Sequence, residues 1–239
     1  MYLWKGDNHL GITRITSLLD SVFDLTVNHK RVANLMHILG ISGIGYHKQT
    51  RKYDSSKGPE GTRIKNRLNR RFKCDRALQK MVSDVTEFKI PGTLEVVYLE
   101  PIMDLYNNEI LTYAITAGNP NLGFALKPLD DLIDSLPEAS YKRFLHTDQG
   151  WQYRHRSWQK KCRKAHITPS MSRRATCLDN ACMESFFNKL KVEIGDLKQY
   201  HSASELIFAI KSWITYYNNN RIQMKLGGQS PIKYRQQAA

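Results

Sequence analysis

The chain has 239 residues, 41% of them hydrophobic, and its 36 Lys and Arg against 22 Asp and Glu give a formal net charge of +14. That length suits one large domain and a small one, and no apolar run approaches the ~20 residues of a bilayer span. The positive excess selects nucleic acid or an anionic membrane surface as partner. Met1–Asp7 lacks the basic start and long apolar stretch of a signal peptide, so a cytosolic protein is expected.

Residues 9–40 are predicted as two short helices. The first runs from about Gly11 to Asp20, with Ile12, Ile15, Leu18 and Leu19 on one face. The second opens at Asn28, a favourable N-cap, carries Val32, Leu35, Met36 and Leu39 at helical spacing, and stops at Gly40. With Lys30 and Arg31 opening the second helix, the pair suits a helix-turn-helix-like unit that touches DNA, or a plain helical hairpin. Periodicity does not separate the two.

Residues 41–80 hold twelve Lys or Arg, Arg70 and Arg71 among them, and three acids, a local excess of +9. The segment reads as a solvated basic linker or as a source of phosphate contacts. Cys74, Cys162, Cys177 and Cys182 form no C-x-x-C pair, which argues for buried thiols rather than structural zinc.

From Lys80 the pattern becomes α/β. Met81–Phe88, Leu94–Met103 and Glu109–Thr116 are predicted strands, with Asn107-Asn108 as a turn. A helix over Leu122–Ser135, a strand over Arg143–His146, a helix over Trp151–Ala165 and a strand over Ile167–Met171 follow. Further helices are expected from Asp179 to about Ile194, from the capping box Ser202-Ala203-Ser204-Glu205 to Tyr217, and after Ser230-Pro231. Three hairpin strands followed by alternating helices and strands define a layered α/β fold.

Acidic residues inside the ordered part of a basic protein need an explanation. Asp84 falls within an apolar strand, where an unpaired charge is costly. Asp148 lies just past a strand end, where α/β folds place functional groups. Glu184 shares a helical stripe with Asn188 and Lys191, beside the apolar stripe of Met183, Phe187, Leu190 and Ile194. Carboxylates of this kind suit Mg²⁺, which takes oxygen ligands and is held by a few carboxylates together with substrate phosphates. Other acids read differently. Asp104 ends a strand and is expected to be structural, Glu87 points away from Asp84, and Asp130, Asp131 and Asp134 are expected to be solvated. His146 is expected to support the core rather than to react.

Thirty-five residues separate Asp148 from Glu184. That spacing, the run His146-Thr147-Asp148-Gln149-Gly150-Trp151-Gln152-Tyr153, the run Asp179-Asn180-Ala181-Cys182-Met183-Glu184-Ser185-Phe186-Phe187, and Tyr216-Tyr217-Asn218 resemble the second-frame transposases of the "IS-three" family of bacterial insertion sequences. The likeness covers about residues 9–236. It implies an RNase H-like core, a mixed sheet with flanking helices like that of retroviral integrases, preceded by the small helical subdomain. It implies Asp84, Asp148 and Glu184 as ligands of Mg²⁺ or Mn²⁺, two ions in number, and cleavage of transposon ends followed by strand transfer of the 3′-hydroxyl into target DNA. Lys191, Asn188, Gln149, Lys30, Arg31, Arg70 and Arg71 become the expected DNA contacts. The expected partners are DNA, an upstream-frame protein or fusion carrying a helix-turn-helix, and further copies of the chain on DNA, at the bacterial nucleoid and with no membrane.

The expected domains are 1–42, a helix-turn-helix-like subdomain shorter than is usual in the family and so read as truncated; 43–75, the basic linker; and 76–239, the catalytic core with its C-terminal helices. One departure bears on activity. Where the family has Lys-Gly-Asn, this chain has Arg174-Ala175-Thr176, and an alanine in a glycine's left-handed conformation costs roughly 1 kcal/mol. The alternatives are a catalytically inactive remnant that only binds DNA, a DNA-binding regulator, and an RNase H-type nuclease without strand transfer.

Overall fold

The computed structural model describes residues 10–43, 64–173 and 177–238. Residues 44–63 of the basic segment and the Arg174-Ala175-Thr176 departure therefore lie outside the described residues. The chain divides into two compact units, one drawn from Met1–Lys48 with Thr215–Ala239 and the other from Gln49–Ile214. The motif-based domains 1–42, 43–75 and 76–239 differ from this division in keeping residues 215–239 with the core.

In the first unit, α1 (Ile12–Phe23) runs one turn past its expected end and stops at Asp24, which takes a left-handed conformation with φ 53°. The Asn28 side chain accepts a hydrogen bond from Lys30 N at 2.9 Å and starts α2 (His29–Ile38). Leu10, Ile15, Val32 and Met36 form a small core between the two helices. Leu35 and Leu39, expected to face inward, are 47% and 46% exposed. Two short helices leave too little shared surface to cover both apolar rows. Lys30 and Arg31 are exposed at the start of α2.

The second unit is built on one mixed sheet. Its strands are β1 (Lys80–Ser83), β2 (Thr86–Lys89), β3 (Val96–Asp104), β4 (Ile110–Ala117), β5 (Arg143–Thr147) and β6 (Ile167–Met171). The single strand expected over Met81–Phe88 is interrupted. Ser83 pairs Ile102 and Thr86 pairs Leu99 on the same antiparallel neighbour, so Asp84–Val85 face Pro101–Glu100 across a gap with no change of register. Pro101 has no N–H to donate to the ladder, which explains why pairing opens there. β3 pairs β4 on its other edge, while β1, β5 and β6 run parallel.

Helices cover the sheet. α3 (Leu122–Ser135) packs on β3 and β4. The long helix expected over Trp151–Ala165 is two, α4 (Trp151–Arg154) and α5 (Arg156–Lys164), because His155 is extended at ψ 137° and its ring accepts from Ser157 N as a new N-cap. Met81, Val85, Tyr98, Ile102, Leu129, Leu132, Tyr153 and Trp158 pack in one core between the sheet and these helices. α6 (Ala181–Glu193) lies against β1. α7 (Ala203–Asn219) opens with the expected capping box, Glu205 N donating to Ser202 Oγ. In the first unit, the C-terminal helix Pro231–Ala238 starts on proline. Among the described residues no helix is long and apolar enough to cross a membrane, and Cys74, Cys162 and Cys182 form no disulfide.

His146 joins β5 to β6 from within the core. It is fully buried, with Nδ1 2.9 Å from Ser170 Oγ and Nε2 3.0 Å from Ser172 Oγ. Ser170 Oγ already accepts from Arg67 N and Leu68 N at 2.8 and 3.1 Å. Its own proton therefore goes to Nδ1, and Nε2–H donates to Ser172. Burial holds this imidazole neutral, lowering its pKa from 6.5 to about 4. The unfolded chain binds a proton below 6.5 that the folded chain refuses until about 4, so the stability contribution is complete above pH 6.5 and is lost as pH falls toward 4. Urea unfolding at a series of pH values should show a loss of about 2–3 kcal/mol from this residue over that window, and His146→Asn should flatten the profile there. Parallel profiles for the two proteins would contradict the neutral assignment.

Candidate active site

The parallel pairing of β1 with β5 sets Val82 beside His146. Extended two residues beyond its last pair, the same register runs toward Asp84 and Asp148, each just past a carboxyl end. Side chains alternate along a strand, and Met81 and Val85 face the α3–α5 core. Asp84 accordingly faces the side of α6, and the parallel register sends Asp148 the same way. Both carboxylates are held locally, Asp84 Oδ1 accepting from Val85 N at 2.9 Å and Asp148 Oδ1 from Gly150 N at 2.8 Å.

Glu184 sits in the first turn of α6. That end of the helix is fastened to the strand carrying Asp84, since Asn180 Nδ2 donates to Ser83 O at 3.1 Å. Among the described residues no three His, Cys, Asp or Glu side chains stand together as a ready-made ion cage. Asp84 and Asp148 follow the carboxyl ends of the paired strands β1 and β5, and Glu184 lies on α6, which packs against β1. Both nitrogens of His146 are engaged by serines, so the available donors here are hard oxygens, the set that suits Mg²⁺ or Mn²⁺.

Asp179 secures the approach to α6. Its carboxylate is fully buried and accepts from Asn66 Nδ2 (2.9 Å), Arg70 Nε (2.8 Å), Arg173 N and Nε (both 3.0 Å) and Arg173 Nη2 (2.9 Å). Arg173 beside it holds its pKa far below the usual carboxylate range. The sequence reading did not single out Asp179. Residues 64–71 are thus packed on the core rather than running free, with Leu68 buried and Asn69 and Arg70 both left-handed at φ 46° and 59°. Such conformations cost of order 1 kcal/mol each and the hydrogen bonds offset them. Asp104, expected to be structural, is buried and accepts from Leu78 N and Tyr106 N.

The expected DNA contacts divide. Arg70 holds Asp179, and one Arg71 guanidinium nitrogen donates to Arg67 O at 3.4 Å on an exposed surface. Gln149 Nε2 donates to Ser172 O at 2.9 Å and ties the Asp148 turn to the end of β6. Asn188 is half-buried. Lys191 lies with its ammonium 5.3 Å from the centre of the Phe88 ring; burial lowers its pKa, and Glu87 and Asp84 oppose that shift. It faces the same side as Asp84.

Glu100 was missed. It lies on β3 with side-chain parity matching Tyr98 and Ile102, so it points into the α3–α5 core, and it is 1% exposed. Burial pushes its carboxyl well above the usual range, the Tyr153 hydroxyl hydrogen-bonds to it and opposes that shift, and Asp148 and Asp84 raise it further. The available signal was an acid inside the apolar run Val96–Met103.

The integrase core domain family matches residues 75–177 and again 184–238. The mixed sheet flanked by helices, together with this family match, marks an integrase-type polynucleotidyl transferase. The chain is 38% identical over 218 residues to the putative transposase InsK of insertion sequence IS150 from Escherichia coli K12, covering 88% of this chain and 72% of that one. It is 40% identical over 215 residues to a transposase-like protein of Haemophilus influenzae, covering 90% and 95%. A simian T-cell lymphotropic virus intasome chain shares the fold at TM-score 0.53 with 16% identity, covering 98% of this chain and 73% of that one. The chain belongs to the insertion-sequence transposases with an integrase core domain, and its function is DNA transposition.

The Asp179 cluster makes a separate prediction. Arg70 and Arg173 are 43% and 53% exposed, so they can rehydrate when the acid is removed. Asp179→Ala should then cost about 1–3 kcal/mol, less than breaking a fully buried pair, and should accelerate proteolysis after Arg70 and Arg173. Wild-type stability and cleavage rates in the variant would show that the clamp is ornamental.

Proposed function

We propose that this transposase cuts one strand at each end of its element and joins the freed 3′-hydroxyl to a target phosphate, with Asp84, Asp148 and Glu184 holding the divalent ions. The observation that supports the reading is the parallel β1–β5 register, whose two strands end just before Asp84 and Asp148. Asn180 supports the inclusion of Glu184 by fastening the start of α6 to Ser83. Mg²⁺ or Mn²⁺, two ions in number, would stabilise both the attacking and the leaving oxygen of an in-line displacement. The chain's own residues orient the acids: Val85 N and Gly150 N each fix one carboxylate, and Gln149 holds the turn. Lys191 faces the same side and is the first candidate for a phosphate contact, with Lys30, Arg31 and Arg71 as exposed secondary contacts. DNA is the substrate, assembly on it involves further copies of the chain, and an upstream-frame protein or fusion supplies end recognition at the nucleoid. No feature of the described residues favours an inactive remnant.

Asp84→Asn, Asp148→Asn and Glu184→Gln keep side-chain size and remove the charge that holds a cation. Each should abolish nicking and joining of a labelled transposon-end duplex in Mg²⁺ or Mn²⁺, tested with and without the upstream-frame protein, while a gel shift shows DNA affinity within about threefold of wild type. Full activity in any one removes that residue from the set. DNA affinity in turn should depend on the basic segment. Log affinity falls with log salt by about 0.9 per neutralised phosphate, so replacing Lys65, Arg67, Arg71 and Lys73 with Gln should flatten the slope by about 3–4. An unchanged slope would make residues 64–73 a structural strap alone.

A further inference from the structure

On the α3–α5 face of the sheet is a small pocket lined by Val85, Glu100, Ala125, Trp151 and Gln152 among others, with room for one water-sized body. Two of its polar groups are almost wholly buried, Glu100 at 1% and Gln152 at 4% exposed. Glu100 Oε2 and Gln152 Oε1 both lack a hydrogen-bond partner. Two polar oxygens left without a partner in one buried pocket are costly, of the order of 1–3 kcal/mol each. A body that accepts from the neutral Glu100 carboxyl O–H and donates to Gln152 Oε1 removes that cost, and the pocket's size selects water. The Tyr153 hydroxyl hydrogen-bonds to Glu100 and lies 3.5 Å from Ser83 Oγ. Gln152 and Tyr153 both belong to α4, the four-residue helix three residues after Asp148.

Gln152 also packs against the Asp148 turn. A Cβ on Gly150 would come within 2.7 Å of Gln152 Nε2, 2.8 Å of its Oε1 and 2.9 Å of Asp148 Oδ1. The turn is therefore closed tightly between the aspartate and the glutamine amide, and displacement of one moves the other.

We propose that Glu100 is a positioning residue for Asp148: its carboxyl group fastens α4 to β3 directly through Tyr153 Oη, and through one bound water that joins Glu100 Oε2 to Gln152 Oε1. The claim rests on the assignment of Asp148 to the catalytic set. Glu100 touches neither ion nor DNA; it fixes the helix that closes the turn. Burial favours the neutral carboxyl, and a glutamine of the same shape offers the same oxygen to Tyr153 and an N–H toward Gln152.

Amide hydrogen exchange in metal-free wild type, Glu100→Ala, Glu100→Gln and Gln152→Met reads the positioning without turnover. Glu100→Ala should speed exchange over Gln149–Arg154 by roughly tenfold relative to β3, the scale of one lost buried hydrogen bond. Glu100→Gln should stay near wild type, and Gln152→Met should show a smaller acceleration. The Mn²⁺ concentration for half-maximal strand transfer should rise about tenfold in Glu100→Ala and be restored in Glu100→Gln. A crystal structure fine enough to show water should place one between Glu100 Oε2 and Gln152 Oε1. Unchanged exchange in Glu100→Ala, damage in Glu100→Gln equal to that in Glu100→Ala, or an empty pocket would overturn the proposal. If Glu100→Ala does not fold, Gln152→Met and Glu100→Gln carry the same comparison. Should the catalytic assignment itself be at fault, Asp148→Asn would retain strand transfer while the exchange effect of Glu100→Ala persisted.

Discussion

The parallel register between β1 and β5 is the constraint on which the site depends. Its buried pairs are Met81 beside Leu145 and Val82 beside His146, and all four are fully buried. A slip of one residue would turn Asp84 and Asp148 to opposite faces. The apolar neighbours resist that slip because it would also expose Met81 and Leu145. Placement of the acids is thus a by-product of core burial, and their charge is tolerated because both lie just beyond the last paired residue.

Around this pair the protein uses buried polar groups as fasteners. Ser170 receives two backbone N–H groups of residues 67 and 68 and donates to His146. Asp179 gathers Asn66, Arg70 and Arg173. Asn180 reaches Ser83. These contacts join the end of the basic segment, the ends of β1 and β6, and the start of α6. A rigid frame of this kind is what strand transfer requires, since ligands misplaced by 1 Å can cost 10²-fold in rate. At residues 66–70 the positive segment is tied through Asp179 to the start of the helix that carries Glu184.

Much of this was legible in the sequence because it rests on local chemistry. The Asn28 cap, the Ser202 capping box and the strand over Ile167–Met171 follow from short-range rules, and Asp148 past a strand end needed only the strand to be recognised. The break at Asp84–Val85 was not legible, because its cause is Pro101 on a different strand. The end of the supposed helix at His155 was hidden because histidine is an uncommon cap. Arg70 was read as a phosphate contact from its charge, whereas its main partner, Asp179, lies 109 residues away. Glu100 escaped because alternation suggests a half-exposed strand, yet Val97–Asp104 is buried on both faces, and that depends on which helices cover it.

The central claim is that Asp84, Asp148 and Glu184 hold the catalytic ions. Anomalous scattering from crystals of the protein with a transposon-end duplex and Mn²⁺ tests it most directly. The account predicts a manganese peak between the Asp84 and Asp148 carboxylates, with Glu184 oxygen in the coordination of it or of a second peak beside it. Manganese bound elsewhere, with none at these two aspartates, would contradict it.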